Sequence, residues 1–284
     1  MPTTIPTTTS STRPGSPSAG DAYFETDTKN YIIYDGANWR GYEADSQTLP
    51  AITNTYSLSF DGSNDYLDTG SKYDFIQQTS TFSISFWVKF TNHASTTAIQ
   101  GLLSTTYTSS FKGLYVFYDN RSSSGSNKTL KVLNSASSAV SLEVNNGITD
   151  NDWHHIGITS LSGGNFKLYR DGSEIDSLSA PATTTTSANN NLRIGRSDAS
   201  GGGHYFGGLM DEVSIFNTEL SGTQIDEIYN SGTPNDIDSL NPRSWWRMGD
   251  SNSGTGNVTD DGVLGNTATN NGATYVSGTG NTPS

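Results

Sequence analysis

The sequence predicts an all-β chain folded as an antiparallel sandwich, on three observations. Residues 81–90, TFSISFWVKF, put Phe82, Ile84, Phe86, Val88 and Phe90 on one face of a strand and Ser83, Ser85, Trp87 and Lys89 on the other. Period-two alternation of this kind marks a strand with one buried and one wetter face. Residues 151–175, NDWHHIGITSLSGGNFKLYRDGSEI, read as a strand from Trp153 to Leu161, a second from Phe166 to Arg170, and a tight turn at Asp171-Gly172. Asp-Gly tolerates the positive φ angles of a type I′ hairpin loop. Third, GLYVFYD (113–119), KTLKVLN (128–134) and AVSLEV (139–144) are short β-like runs separated by Gly, Asn and Ser, as in a sandwich.

In chain order, the first element is an arm. Residues 1–20 are rich in Thr, Ser and Pro and bury too little apolar surface to fold alone, although they can order along a partner. Residues 21–42, DAYFETDTKNYIIYDGANWRGY, form a β-meander. Tyr23-Phe24 open a strand, Asp27 to Lys29 turn, Tyr31 to Tyr34 return, Asp35-Gly36 turn again, and Trp39 starts a third strand. So small a sheet is marginal by itself. Its Tyr23, Phe24, Tyr31, Ile32, Ile33, Tyr34 and Trp39 therefore need another surface, which marks residues 1–48 as an attachment or oligomerisation region. Residues 49–284 are expected to form one β domain. A single helix interrupts it: Ser221 and Gln224 make a capping box, Ile225, Ile228 and Tyr229 an apolar face, and Gly232 a stop.

Several runs, in this order, carry a resemblance. They are YSLSFDGSNDYLDTG (56–70), TFSISFWVKF, the Trp153-His154-His155 strand, NNLRIGRS (190–197) and HYFGGLMDEVSIFNTELS (204–221). Together they resemble the laminin-G-like, concanavalin-A-like jelly-roll family, in its bacterial and phage branch, over roughly residues 50–235. The resemblance implies a jelly-roll sandwich with a short helix after the Asp-Glu strand. SWWRMGD (244–250) and DDGVLGNTATNNGATYV (260–276) are similar to an element that usually opens such domains. Here it follows the helix, and the roughly 40 residues are too few for a second sandwich of ~100 residues, so 243–276 is expected to close the same domain. PGSPSAGDAYFETDTKNYIIYDGANWR (14–40) resembles an element recurrent in tail and fibre proteins of bacterial viruses.

Composition narrows the function. The chain has 284 residues, no cysteine and a formal net charge of -13. Disulfides, thiolate metal sites and thiol nucleophiles are excluded, and a basic patch for nucleic acid or an anionic membrane is not expected. No run reaches the ~18 apolar residues of a membrane span. The N-terminus lacks the basic start and apolar core of a secretory signal, which implies a protein kept in the cytoplasm until released by something other than secretion.

Three constellations invite chemistry. His154 and His155 are adjacent on a strand, point to opposite faces and do not chelate jointly; the Trp-His-His run is usual in the family and reads as structural. Asp211-Glu212 stands where jelly-roll glycosidases carry an acidic triplet, but Ser214 and Phe216 fill the alternate positions. Two carboxylates ~5 Å apart are needed for retaining hydrolysis, and adjacent strand residues diverge. The resemblance instead implies a structural Ca²⁺ at Asp211, partnered by Asp61 or Asp65 of the FDGSND turn, since Ca²⁺ takes 6–8 oxygen ligands. Trp87, Tyr115, Phe117 and Tyr205 are candidate sugar platforms, with no carbohydrate-binding residue assigned. Gly-rich 200–208 lacks the Lys-Ser/Thr and following helix of a phosphate loop.

The expectation is a non-enzymatic structural protein of a bacteriophage virion, as fibre, tail or capsid decoration. It would attach to other virion proteins through residues 1–48, self-associate as a homo-oligomer such as a trimer, and display a lectin-like domain toward host-surface glycans. The alternatives are a carbohydrate-binding adhesin of a bacterial surface and, behind it, a glycoside hydrolase or lyase.

Overall fold

The computed structural model describes residues 6–25, 30–43, 49–91, 99–108, 113–121, 128–135, 139–183, 188, 190–199 and 203–283. The turn expected at Asp27 to Lys29 and the Tyr31 side chain lie outside the described residues. The chain divides into two compact units, Met1–Thr48 and Leu49–Ser284.

The first unit is a four-stranded sheet of β1 (Thr7–Thr8), β2 (Ala22–Glu25), β3 (Asn30–Tyr34) and β4 (Trp39–Glu43). The Thr-rich stretch is more than an extended tail. β1 pairs in parallel with β2, and Arg13 reaches the buried carboxylate of Glu25. Asp35 ends the β3–β4 turn by accepting the amides of Ala37 and Asn38 at 2.8 and 2.7 Å. Tyr23 opposes Ile32, and Tyr34 opposes Trp39, so all four share a face. Trp39 packs against Tyr23 at 5.8 Å and Tyr34 at 5.4 Å between ring centroids, and Ile32 is buried. This small sheet thus covers part of the aromatic surface expected to need a partner. Ile33, on the other face, is exposed.

In the second unit the strands are β5 (Tyr56–Asp61), β6 (Tyr66–Asp68), β7 (Phe82–Phe90), β8 (Ile99–Ser104), β9 (Tyr107–Thr108), β10 (Gly113–Asp119), β11 (Thr129–Ser135) and β12 (Ala139–Val144). There follow β13 (His154–Ser160), β14 (Asn165–Arg170), β15 (Ser173–Ser179), β16 (Arg193–Ile194), β17 (Arg196–Ala199), β18 (His204–Tyr205) and β19 (Gly207–Phe216). The last are β20 (Ser244–Trp246), β21 (Thr269–Asn271) and β22 (Thr274–Ser277). A seven-stranded sheet runs β12-β11-β10-β8-β16-β6-β21; an eight-stranded sheet runs β15-β14-β13-β7-β19-β5-β22 with β20 beside β19. Phe82, Ile84, Phe86, Val88 and Phe90 of the second meet Leu114, Val116, Tyr118, Leu130 and Val132 of the first in one core. The Asp171-Gly172 turn has φ of 51° and 76° and joins β14 to β15 as a two-residue hairpin.

The predicted wetter face of β7 is a correction. Ser83, Ser85 and Trp87 are as buried as the core residues between them. A second apolar cluster, including Leu49, Phe216, Leu220, Ile225, Ile228 and Trp245, covers that side of the sheet. Ser83 accepts the Leu220 amide at 2.7 Å, and Ser85 bonds His155 Nε2 at 2.7 Å. The helix responsible, α2 (Gly222–Tyr229; the four-residue α1 is Phe75–Gln78), starts at the expected capping box. It stops at left-handed Asn230 rather than at Gly232. Among the described residues no helix is long and apolar enough to cross a membrane.

The C-terminal segment supplies an edge strand to each sheet: β21 pairs with β6 and β22 with β5, while β20 lies along β19. Asp260 holds this segment's turn, accepting amides of Trp245, Gly262 and Asn266 at 2.7, 2.8 and 2.7 Å.

Candidate functional site

The outer face of the seven-stranded sheet gathers aromatic and charged side chains. Leu114, Val116 and Tyr118 of β10 point into the core, so Tyr115, Phe117 and Asp119 fall on the opposite face. The Tyr115 and Phe117 rings stack 4.1 Å apart, 18° from parallel, with Ile99 and Leu133 against them. Asp119 takes the Arg121 guanidinium in two bonds of 3.0 and 2.9 Å.

The next elements come from NNLRIGRS. β16 and β17 are one run bent at Gly195, whose φ is 82°. A Cβ there would meet the Phe60 ring at 2.5 Å, so only glycine fits. Beyond the bend, β17 leaves the sheet and joins β18 and β9 in a three-stranded layer. That layer crosses β8 at Gly101, where a Cβ would lie 2.6 Å from the Ser197 amide nitrogen. The bend brings Arg193 and Arg196 to one place. The Arg196 guanidinium lies between two phenol rings, 4.8 Å from the Tyr66 centroid and 5.1 Å from that of Tyr205. Arg193 lies 5.4 Å over Tyr66. Asp198 joins the arginines, accepting from Arg196 Nε at 2.8 Å and from Arg193. Arg193 Nε is buried without a hydrogen-bond partner, with Asp68 Oδ2 at 3.8 Å.

His204 closes the Tyr115 end, its Nδ1 3.2 Å from the phenol oxygen. Burial, then the charge of Arg121, pushes the His204 imidazole below its ordinary value, favouring the neutral ring. Burial pushes the Tyr115 phenol up, so its proton stays available for bonding. The half-buried Tyr66 and Tyr205 rings, with guanidinium donors and carboxylate acceptors on the same face and the buried Tyr115–Phe117 stack beside them, suit a ligand rich in hydroxyls. Of the expected platforms, Tyr115, Phe117 and Tyr205 meet here. Trp87 lies on the other sheet, stacked on Tyr229 at 5.8 Å. Tyr66, Arg193 and Arg196 were not singled out by the sequence. The Arg-x-x-Arg spacing around Gly195 was the available signal, and it means little without Tyr66 and Tyr205 beside it.

The expected calcium partnership of Asp211 with Asp61 or Asp65 is not brought together. Met210 pairs with Leu58 and Gly207 with Asp61, which places Asp211 about four strand residues, roughly 13 Å, from Asp61. Asp61 Oδ1 caps its own turn through the Ser63 and Asn64 amides at 2.8 and 3.1 Å. Asp65 Oδ2 accepts the Asp61 amide at 2.9 Å. Asp211 accepts from Glu212 N at 2.8 Å and Asn54 Nδ2 at 3.0 Å. These three side chains do not fit one ion, and among the described residues no group of three or more His, Cys, Asp or Glu is placed to hold a metal.

Asp211 and Glu212 also do not simply diverge. Glu212 has φ of 47°, and the β19–β7 register shifts between Asp211 and Ser214, a β-bulge that turns both carboxylates into the interior. Glu212 accepts the Trp245 indole N–H at 2.6 Å and Arg247 Nε at 3.4 Å. Burial raises both acids, Glu212 to about 7, and Asp211 is raised further by the neighbouring Glu212 charge. The histidines sit as expected on opposite faces. His154 is held between Asp150 at 2.9 Å and Asp171 at 2.8 Å, and His155 is buried against Ser85 and Trp87.

The family model described as concanavalin A-like lectin/glucanases superfamily, of the laminin G type, matches residues 61–226, more than half of the chain. A protein of Bacteroides ovatus described as carbohydrate binding superposes with a TM-score of 0.59 at 16% identity, over 92% of this chain and 70% of that one. The CBM40 module of a Ruminococcus gnavus sialidase, bound to α2,3-sialyllactose, gives 0.48 at 15% identity over 61% and 95%. A heptameric pentraxin of Limulus polyphemus gives 0.44 at 16% identity over 63% and 84%. At these scores the latter two define no closer kinship. Among curated proteins none matches the sequence. The motif order, the two-sheet sandwich and the family match agree: the chain belongs to the concanavalin A-like lectin/glucanase superfamily.

Proposed function

We propose that this protein is a non-catalytic carbohydrate-binding protein that holds glycans on the outer face of its seven-stranded sheet. The observation that carries this reading is the half-exposed Tyr66–Arg196–Tyr205 sandwich, beside which the buried Tyr115–Phe117 stack is structural support. Aromatic faces take the C–H side of a sugar ring, and fixed donors and acceptors around them read its hydroxyls. The Bacteroides ovatus relative, described as carbohydrate binding, shares the fold. A lack of catalysis is supported by the commitments of Asp211 and Glu212, whose oxygens serve Asn54, Trp245 and Arg247. Glycan-array binding by the wild type, lost in Arg196→Ala and Tyr205→Ala variants that keep their melting temperature, is the expected result. Undiminished binding by both variants refutes the site, and new reducing ends from any polysaccharide, abolished by Glu212→Gln, refute the non-catalytic reading.

A virion role remains our reading of the first unit. It rests on the likeness of residues 14–40 to phage tail and fibre elements and on the exposed Ile33 face opposite the Tyr23–Trp39 cluster. A bacterial adhesin would use the same glycan face. Deleting residues 1–48 is expected to leave a cooperatively melting β domain that no longer joins particles or self-associates. Full incorporation of the truncated chain into virions would reverse this assignment.

A further inference from the structure

The outer face of the eight-stranded sheet, otherwise covered, holds a cleft of about 360 Å³ at the end of α2. That lies within the ~300–1,000 Å³ range of small-molecule sites. Its walls include Trp87, Lys89, Trp153, His154, Asp171 and Tyr229, and the C-terminal residues Gly280 and Thr282 border it. None of the residues of the Tyr66–Arg196–Tyr205 face takes part.

Two of these side chains carry an unmet requirement. The indole N–H groups of Trp87 and Trp153 are both buried without a hydrogen-bond partner, and Trp87 is only 1% exposed. Trp245 and Trp246 show the usual solution, donating to Glu212 at 2.6 Å and to the Asn266 carbonyl at 3.0 Å. A buried donor left unmade costs about 1–3 kcal/mol, so two on residues that line one cleft point to an acceptor that reaches them from the cleft side. The remaining groups define that acceptor. Lys89 Nζ donates to the Gly280 carbonyl at 2.9 Å and keeps further protons. His154 is clamped between the carboxylates of Asp150 and Asp171. Asp152 adds another carboxylate at the wall. Three carboxylates against at most two cations disfavour an anionic ligand. The Trp87 and Tyr229 rings, stacked 30° from parallel, supply an apolar wall.

We infer that this cleft is a second ligand site, for one uncharged sugar residue, separate from the glycan face of the seven-stranded sheet. A sugar hydroxyl both accepts and donates. It accepts from the Trp87 and Trp153 indoles and donates to the carboxylates of Asp152 or Asp171, while the ring's C–H groups lie on the aromatic wall.

The five indole N–H signals of the ¹⁵N-labelled full chain report the site directly. Titration with methyl glycosides of glucose, galactose and N-acetylglucosamine is expected to move the Trp87 and Trp153 signals with at least one of them. Those of Trp245 and Trp246 should stay in place. Trp153→Phe keeps an aromatic ring, smaller than the indole, and removes the donor; it is expected to weaken the response at Trp87 about five- to tenfold, the worth of one hydrogen bond. Its melting temperature should fall only by the packing lost with the smaller ring, because the lost N–H bonds nothing. The same titration on Arg196→Ala keeps the two sites apart: the indole shifts persist there even if the seven-stranded face binds nothing. Indole signals unmoved by all three glycosides, or a Trp87 response unchanged by Trp153→Phe, overturn the inference and leave the cleft to water.

Discussion

The two outer faces of this sandwich have similar alternating sequences and opposite fates. On the eight-stranded sheet, Ser83, Ser85 and Trp87 lie under Leu220, Ile225, Ile228 and Trp245. On the seven-stranded sheet, Tyr115, Phe117 and Asp119 are buried too, but beside a thin layer whose Arg193, Arg196 and Tyr205 remain partly exposed. One face became a second, wide core and the other a small aromatic cluster bordered by half-exposed, organised polar groups. The difference shows that alternation identifies two faces but not what covers them; that depends on where α2, the C-terminal segment and β17 return in space.

If that division is right, truncation should be structural on one face and functional on the other. Phe216→Ala, in the second core, is expected to cost about 3–5 kcal/mol in equilibrium denaturation, the largest single effect. A loss below about 1 kcal/mol would mean the cover is loosely packed. Asp260→Ala strips one buried and two half-buried amides of their acceptor and should cost about 2–3 kcal/mol. Its defect should appear as protease sensitivity of the C-terminal segment; protection equal to wild type would show that β20–β22 hold without the turn.

The acid pair tests the same cover through pH. Glu212 is raised from 4.5 to about 7, and Asp211 is raised too. Folding then retains protons that the unfolded chain releases, so this pair's contribution falls as pH rises from about 4.5 to 7. His155, lowered by burial to about 4, acts oppositely: its contribution is present above 6.5 and lost as pH falls toward 4. Asp211→Asn should therefore tilt the stability profile toward a rise with pH, and His155→Phe toward a fall. Unchanged slopes in both would place these groups in contact with water. The smallest stability effect is expected on the open face. Tyr205→Ala should change folding by less than about 1 kcal/mol while abolishing glycan binding, and a larger loss would make that face a third core.

Local geometry was legible from residue order alone. The β7 alternation, the Asp171-Gly172 hairpin and the Ser221–Gln224 capping box each depend on neighbouring residues and on φ angles that few side chains tolerate. The motif order carried the jelly roll for a similar reason, because each motif encodes a strand or turn of that fold. Tertiary structure decided the rest. The bulge at Glu212 turns an apparently divergent pair inward because Trp245 and Arg247, from a segment far along the chain, offer it donors. Asp61 and Asp65 satisfy their own turn and stay apart from Asp211 because strand register separates them. Arg196 meets Tyr66 only when Gly195 bends the chain out of the sheet. A sequence states which backbone conformations are accessible; contacts between residues more than a hundred positions apart are selected by the packing of the whole.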